Sequence, residues 1–122
     1  MEPKIRDAVN NLLSGTRDGV FSWEATERPE EFRLRLQNGL VSVDKWEAAD
    51  PSDPFDTEEM AEIVFYNIKG EKVDRLGCSW AAEKTDYGLL VRLQDAAKRN
   101  ALKIDEVLDS LFEEISDRST TF

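Results

Sequence analysis

The Asn38-Gly39 dipeptide constrains the fold most, because it lies between two segments in which apolar and polar residues alternate. Asn-Gly is a preferred sequence for a type I′ hairpin turn, in which both central residues need a positive φ. A two-residue loop predicts these cross-strand pairs: Gln37 with Leu40, Leu36 with Val41, Arg35 with Ser42, Leu34 with Val43, and Arg33 with Asp44. The apolar residues then share one face and Arg33 meets Asp44 on the other, which favours an antiparallel hairpin.

Three further segments have the pattern of strands. Residues 21–25 alternate with period two, and residues 62–68 are apolar on both faces, which is typical of a strand inside a sheet. The segment Asn67-Ile68-Lys69-Gly70 fits a type I turn with a glycine in the bulge position. This turn predicts a second hairpin, which leads into a strand over residues 71–78.

Both ends of the chain show the period of helices. Residues 5–13 form one apolar stripe, residues 89–97 a second and residues 104–115 a third. We expect a break or kink between the last two stripes, near Asn100–Lys103.

Grouped strands with helices at both ends predict an α+β fold. We expect an N-terminal helix, an antiparallel meander sheet of about five strands, and one or two C-terminal helices packed mainly on one face. The length of 122 residues fits one domain over residues 1–118, with a frayed tail at 119–122.

A dense run of carboxylates lies between the two hairpins. Its members are Asp44, Glu47, Asp50, Asp53, Asp56, Glu58, Glu59 and Glu62. Because Asp-Pro occurs twice, residues 48–59 are interpreted as a loop, with a short helical turn near 57–60. The spacing does not match an EF-hand and lacks its central glycine. The alternatives are a solvated loop, a weak Ca²⁺ or Mg²⁺ site, and a docking surface for a basic partner.

The residues that carry most enzyme chemistry are missing from the sequence. It has no histidine, a single cysteine at Cys78, and no glycine-rich phosphate-binding motif. Histidine-dependent catalysis, nearly all zinc sites and nucleotide-phosphate loops are thereby excluded. Cys78 is interpreted as a small semi-buried side chain. We expect no enzyme activity, no metal and no cofactor, with an enzyme based on carboxylates, lysine or tyrosine as the alternative.

The charge balance limits the partners of this chain. Sixteen basic and 26 acidic residues give a formal net charge of -10, which repels nucleic acid at long range. No apolar run is long enough to span a membrane, and the charged segment 1–7 lacks the apolar region of a signal peptide. We expect a cytoplasmic protein that binds a protein partner or a second copy of itself, and neither nucleic acid nor membrane.

Motifs in a defined order cover most of the chain. They are Leu12-Leu13, Thr16, Gly19 and Trp23; Phe32 and Leu36; Phe65-Tyr66-Asn67 with Gly70-Glu71 and Val73-Asp74; and Leu90, Leu93, Ala96-Ala97-Lys98-Arg99, Ala101-Leu102, Ile104-Asp105 and Leu108. In this order the chain resembles a loose set of small prokaryotic proteins with an N-terminal helix, a tryptophan-containing strand, an antiparallel meander and a helical segment of the type L…AR(R)xAL-x-ID-xx-LD. Ala97-Lys98-Arg99 stands where that segment has an alanine–arginine pair. The resemblance implies the same order of elements and carries over no active-site residue.

One face of the predicted sheet is a candidate interface. Trp46 falls on the face opposite Val41 and Val43, where part of the strand 62–68 adds apolar side chains. A sheet face that no helix covers is typical of an interaction surface, unless the acidic segment or the chain ends fold over it. The candidate interaction surface consists of Trp46, Val64, Tyr66, Ile68, Asp50, Asp53 and Asp56.

These observations favour a non-enzymatic protein-interaction domain, either a homodimer or a partner-binding adaptor. One alternative is a role like that of the small acidic secretion chaperones, which needs an interface helix between the third and fourth strands. The other is an acidic nucleic-acid mimic that inhibits a DNA-binding protein, which needs carboxylates clustered on one face.

Overall fold

The computed structural model describes residues 1–50 and 52–120, which form three helices and five strands. The helices are α1 (Pro3–Arg17), α2 (Lys84–Leu102) and α3 (Ile104–Thr120). The strands are β1 (Trp23–Ala25), β2 (Phe32–Leu36), β3 (Gly39–Asp50), β4 (Asp53–Asn67) and β5 (Lys72–Ser79). The predicted α+β fold is confirmed. Thr121 and Phe122, the end of the predicted tail, lie outside the described residues.

The five strands form an antiparallel meander in the order β1-β2-β3-β4-β5. The prediction of a loop over residues 48–59 is wrong, because Ala48 pairs with Glu58 and Ala49 with Thr57. The chain reverses between Asp50 and Asp53, and no helical turn forms near residue 57.

The C-terminal end of β3 and the N-terminal end of β4 extend beyond the rest of the sheet as a two-stranded arm. The pairing of β2 with β3 reaches only to Val43, and the pairing of β5 with β4 starts only at Met60. Both outer sides of such an arm face solvent, where acidic residues and proline are tolerated in strands.

The first hairpin forms, but its register differs from the prediction by two residues. Leu34 pairs with Val41 and Phe32 with Val43, and the loop residues are Gln37 and Asn38. Among the described residues only Lys103 is a non-glycine with positive φ, so Asn38 cannot occupy a type I′ turn. Gly39 instead starts β3, where a Cβ would collide with the backbone carbonyl of Tyr66.

The predicted pairing of Arg33 with Asp44 is therefore wrong. Arg33 lies opposite Ser42, and Asp44 lies opposite Glu62. A shift of two residues keeps every side chain on its predicted face, because side chains alternate with period two. The apolar face of the hairpin is thus the expected one, although its partners differ.

The second hairpin has the predicted turn. The Gly70 amide donates to the Asn67 carbonyl at 2.9 Å, and Gly70 has a φ of 81°. The Asn67 side-chain oxygen also accepts hydrogen bonds from the Lys69 and Glu71 amides, at 2.9 and 3.0 Å. These bonds fix the glycine in the left-handed region that a turn with this bulge requires.

The hydrophobic core lies between the sheet and α2, which contacts all five strands, while α1 packs against α2. Its largest fully buried apolar side chains are Phe32, Ile63, Leu90, Leu93, Val9 and Val43. Trp23 is buried as well, and its indole Nε1 donates to Thr16 Oγ1 at 2.8 Å. The helices therefore cover one face of the sheet.

A single residue separates the last two helices. Lys103 has a φ of 52° and a ψ of 43°, the left-handed conformation that commonly ends a helix. The break predicted near Asn100–Lys103 is confirmed. Beyond Lys103, α3 contacts α2 and no other helix or strand of the described chain. No helix in the described residues is both long and apolar enough to cross a membrane.

Candidate interaction surfaces

The register of the sheet brings part of the predicted surface together. Trp46 pairs with Met60, and Val64 and Tyr66 lie on the same face opposite Ser42 and Leu40. Val64 is only 3% exposed, and Trp46 and Tyr66 are half-buried. The apolar surface offered by this face is therefore small, even though no helix packs on it.

Charged side chains surround these apolar residues. The Arg28 guanidinium lies 2.7 Å from the Asp44 carboxylate and 6.0 Å from the centre of the Trp46 ring, where a cation–π attraction operates. Arg75 forms an ion pair with Glu62 farther along the same face. Burial raises the pKa of Asp44, although Arg28 opposes that shift. Two ion pairs thus lie on this face among its apolar side chains.

Ile68 lies far from Trp46, at the turn end of the sheet. It lies in the β4–β5 turn, two residues after Tyr66, and is 77% exposed. Trp46 sits at the level of Met60, eight residues away from Ile68 and six from Tyr66 along the chain. At a rise of about 3.3 Å per residue, Ile68 is roughly 26 Å and Tyr66 roughly 20 Å from Trp46. The predicted apolar residues therefore do not form one compact cluster around Trp46.

The predicted acidic residues lie on the arm, and they hold its turn. Asp50 Oδ1 accepts hydrogen bonds from the Ser52 amide at 2.9 Å and the Ser52 hydroxyl at 2.7 Å. The hydrogen bond from the Ser52 amide lowers the pKa of Asp50. Asp53 Oδ1 accepts from the Phe55 amide at 3.0 Å. These carboxylates are bound to their own backbone, as Asp side chains in turns commonly are.

A recess of about 560 Å³ lies beside this turn. It is lined by Glu47, Asp50, Asp56, Thr57, Glu58, Glu59, Trp80 and Ala81. Asp50 and Asp56 thus share one recess, whereas Asp53 does not line it. No group of three or more His, Cys, Asp or Glu in the described part of the chain is placed to hold a metal ion.

A run of exposed apolar side chains on α3 forms a surface that the sequence analysis does not single out as a site. Five large apolar side chains on α3 are exposed to solvent: Val107, Leu108, Leu111, Phe112 and Ile115. Phe112 and Ile115 are each 60% exposed. They follow Ile104 at the spacing of one helix face, and we call Ile104 with these five residues the α3 stripe. The pattern was visible in the sequence, but it is the same for a helix that packs on its own core.

The rest of α3 is acidic. It carries Asp105, Glu106, Asp109, Glu113, Glu114 and Asp117, with Arg118 as its only basic residue. Six acidic residues against one basic residue leave a net charge of -5 on this helix. The α3 stripe is thus an apolar surface bordered by negative charge.

A groove of about 680 Å³ runs between the C-terminal end of α1, the outer side of α2 and the first turn of α3. Its lining includes the apolar or small residues Thr16, Gly19, Val91 and Ala96, together with Asn100. Four basic residues, Arg17, Arg92, Arg99 and Lys103, lie at this groove with three acidic ones, Asp95, Asp105 and Glu106. Arg99 pairs with Asp95 at 3.4 Å and with Asp105 at 3.1 Å. We call this feature the α1/α2 groove.

Cys78, the one thiol of the chain, offers no reactive site. It is 2% exposed at the sheet face covered by the helices, and burial raises its pKa. A raised pKa disfavours the thiolate, which is the reactive form.

Comparisons of the chain with protein-family models, with curated proteins and with solved structures gave no match.

Proposed function

We propose that this protein is a non-enzymatic protein-interaction domain that presents α3 to a protein partner. The observation that carries the proposal is the exposure of the α3 stripe on a helix that contacts only α2 among the described elements. Most of the stability of a helix in a protein comes from packing of its apolar face, and α3, with 17 residues, leaves most of that face exposed. A partner that covers the α3 stripe supplies that packing.

The spacing of the stripe fits a known mode of recognition. Val107, Leu108, Leu111 and Ile115 follow Ile104 at three, four, seven and eleven positions, which is how an amphipathic helix fills an apolar groove. The acidic residues that border the stripe favour a groove with a basic rim. The partner surface is therefore an apolar groove edged by lysine or arginine.

The sheet face around Trp46 is the second candidate for the interaction surface, and it exposes less apolar surface than the α3 stripe does. Val64 is buried within the face itself, and the Arg28–Asp44 and Arg75–Glu62 pairs lie beside the aromatic side chains. A partner docking there has to displace or accommodate these ion pairs, which costs desolvation.

The two other functions receive less support. The expected interface helix of a secretion-chaperone-like protein would lie between β3 and β4, where the described chain forms the arm instead. A nucleic-acid mimic needs carboxylates clustered on one face, whereas the carboxylates of α3 border an apolar stripe that has no counterpart in a phosphate backbone.

Site-specific photo-crosslinking in the native host tests the proposal. A photoreactive phenylalanine analogue at Phe112 lies on the stripe, and the same analogue at Glu113 lies on the acidic face of the same helix turn. We expect covalent protein adducts from position 112 and far fewer from position 113. Adducts from position 46 with none from position 112 would move the interaction to the sheet face and contradict the proposal.

A further inference from the structure

We infer that the partner of α3 is a second copy of this chain, so that α3 of each copy lies in the α1/α2 groove of the other. This inference rests on the proposed function, because it names the occupant for the same helix surface. It commits to a reciprocal exchange with two-fold symmetry, in which each copy supplies one helix and one groove.

The lengths of the two surfaces match. The groove follows α2 from Val91 to Lys103, which is about 18 Å at the helical rise per residue. The α3 stripe runs from Ile104 to Ile115, which is about 16 Å by the same measure. One α3 therefore spans the groove with its apolar residues facing Val91 and Ala96.

The charges are complementary. The chain as a whole is strongly acidic, yet the α1/α2 groove has one more basic than acidic residue. Of its basic residues, Arg99 is already paired with Asp95 and Asp105, which leaves Arg17, Arg92 and Lys103 to meet the acidic borders of an incoming α3. Such complementarity selects partner and orientation.

The helix cannot fill the groove of its own copy. Asp105 and Glu106 already line that groove, so the first turn of α3 turns its acidic face toward it. At about 100° per residue, the centre of the α3 stripe points about 90° away from Asp105 and about 170° away from Glu106. The apolar residues can therefore reach this groove only when they come from another molecule.

Direct pairing of two α3 helices is the rival arrangement within a homodimer. It would bring the carboxylates that border each stripe, such as Asp105, Asp109 and Glu114, close to those of the other helix. Like charges at such a distance oppose association. The groove offers a smaller apolar contact, at Val91 and Ala96, but it places basic side chains opposite those carboxylates.

Light scattering of purified protein over the micromolar range tests the dimer. We expect a dimer whose dissociation constant rises at least about tenfold in Leu111→Asp, because a charge replaces a central anchor. Ser110→Asp adds the same charge on the polar side of α3 and is the matched control, for which we expect a much smaller change. Circular dichroism confirms that each variant is folded, and Phe112→Asp replaces Leu111→Asp if that variant is not.

A mixing experiment separates exchange from helix pairing. Arg92→Glu reverses a charge in the groove and leaves α3 intact, whereas Leu111→Asp damages α3 and leaves the groove intact. We expect each variant to be monomeric at a concentration where the wild type dimerises, and the mixture to form a heterodimer that retains one intact helix–groove contact. Arg17→Glu replaces Arg92→Glu if the latter does not fold.

Two results would overturn the exchange. One is a wild-type protein that stays monomeric over the whole concentration range. If position 112 then crosslinks to another protein, the proposed function is supported and a second copy is excluded as the partner. The other is an Arg92→Glu dimer as stable as the wild type, which points to pairing of two α3 helices. Loss of adducts at position 112 together with a dimer that persists in Leu111→Asp would reject both proposals.

Discussion

Single side chains connect segments that are far apart in the sequence. The Asn100 amide donates from Nδ2 to the Phe21 carbonyl at 3.0 Å and accepts at Oδ1 from the Trp23 amide at 2.7 Å. It therefore fixes the short edge strand β1 to α2 at a point where backbone groups are partly buried. The sequence marks Asn100 only as the start of the predicted helix break, because a side-chain hydrogen bond over 77 residues leaves no local pattern.

Replacing Asn100 by alanine should destabilise the fold by about 2 kcal/mol, because two hydrogen bonds are lost and a partly buried amide is left unsatisfied. Urea unfolding followed by tryptophan fluorescence measures the effect. Asn11→Ala is the matched control, since Asn11 is exposed on α1 and its loss should change the free energy of unfolding by less than about 0.5 kcal/mol. Equal effects of the two changes would show that the Asn100 bonds add nothing.

Glu30 gives a prediction on pH. Its carboxylate lies 2.8 Å from the Lys98 ammonium, and the hydrogen bond from Lys98 lowers the pKa of Glu30. Because the folded pKa is the lower one, the stabilisation is fully present above the unfolded pKa and is lost as the pH falls through the folded pKa. Glu30→Gln should therefore cost at most about 1 kcal/mol at neutral pH, since both groups are partly solvated.

The measurement compares the free energies of unfolding of the wild type and Glu30→Gln at several pH values. The difference between them should shrink as the pH falls through the lowered pKa of Glu30, where the wild-type carboxyl becomes protonated. A difference that does not depend on pH would mean that the Lys98 ion pair makes no contribution.

Among the elements, turns and helix stripes could be predicted from the sequence, whereas register and strand length could not. The turn at residues 67–70 was predicted because Asn67 and Gly70 determine it locally. The register of the first hairpin brings Gly39 against the backbone of Tyr66 in β4, more than twenty residues along the chain. The sequence predicts a loop in place of the arm because Asp-Pro occurs twice there, and no apolar face marks these residues as a strand packed on a core.

Two glycines allow a comparison of steric and conformational strain. A Cβ on Gly39 would collide with the Tyr66 carbonyl, whereas a Cβ on Gly70 meets no atom within 4 Å and suffers only from the positive φ. We expect Gly70→Ala to cost about 1 kcal/mol, because the left-handed region disfavours a side chain by about that amount. Gly39→Ala should cost clearly more, because β3 or β4 has to move. Thermal unfolding of both variants checks the order, and the reverse order would contradict the assigned strand contact.

For α3, the apolar periodicity of the sequence predicts the helix but not what its apolar face contacts. Residues 104–115 were predicted as a helix with an apolar face, and that helix exists. What it packs against was not predictable, because sequence periodicity is identical for a face buried in its own domain and one offered to a partner. The exposure follows from the left-handed Lys103, which directs α3 away from the sheet.

For the whole molecule, the net charge of -10 affects stability. Like charges repel more strongly in the compact state than in the unfolded chain, and salt screens this repulsion. Raising the ionic strength from a low value to about 0.15 M should raise the melting temperature of the monomer by a few degrees. A variant with Glu106→Gln, Asp109→Asn and Glu113→Gln should respond less. A melting temperature that falls with salt would show that the surface ion pairs outweigh the repulsion.

The two-stranded arm leaves backbone amides and carbonyls without a neighbouring strand on both of its sides. Such edges are templates on which another chain can add a strand, and like charges are one of the ways in which proteins keep them apart. On this arm the carboxylates of Glu47, Asp50, Asp53, Asp56, Glu58 and Glu59 supply those charges. Near the isoelectric point of about 4.5 their repulsion fades while the backbone groups are unchanged, so acidified solutions of this protein should turn turbid through strand addition. The electrostatic protection of these edges therefore lasts only as long as the carboxylates stay ionised.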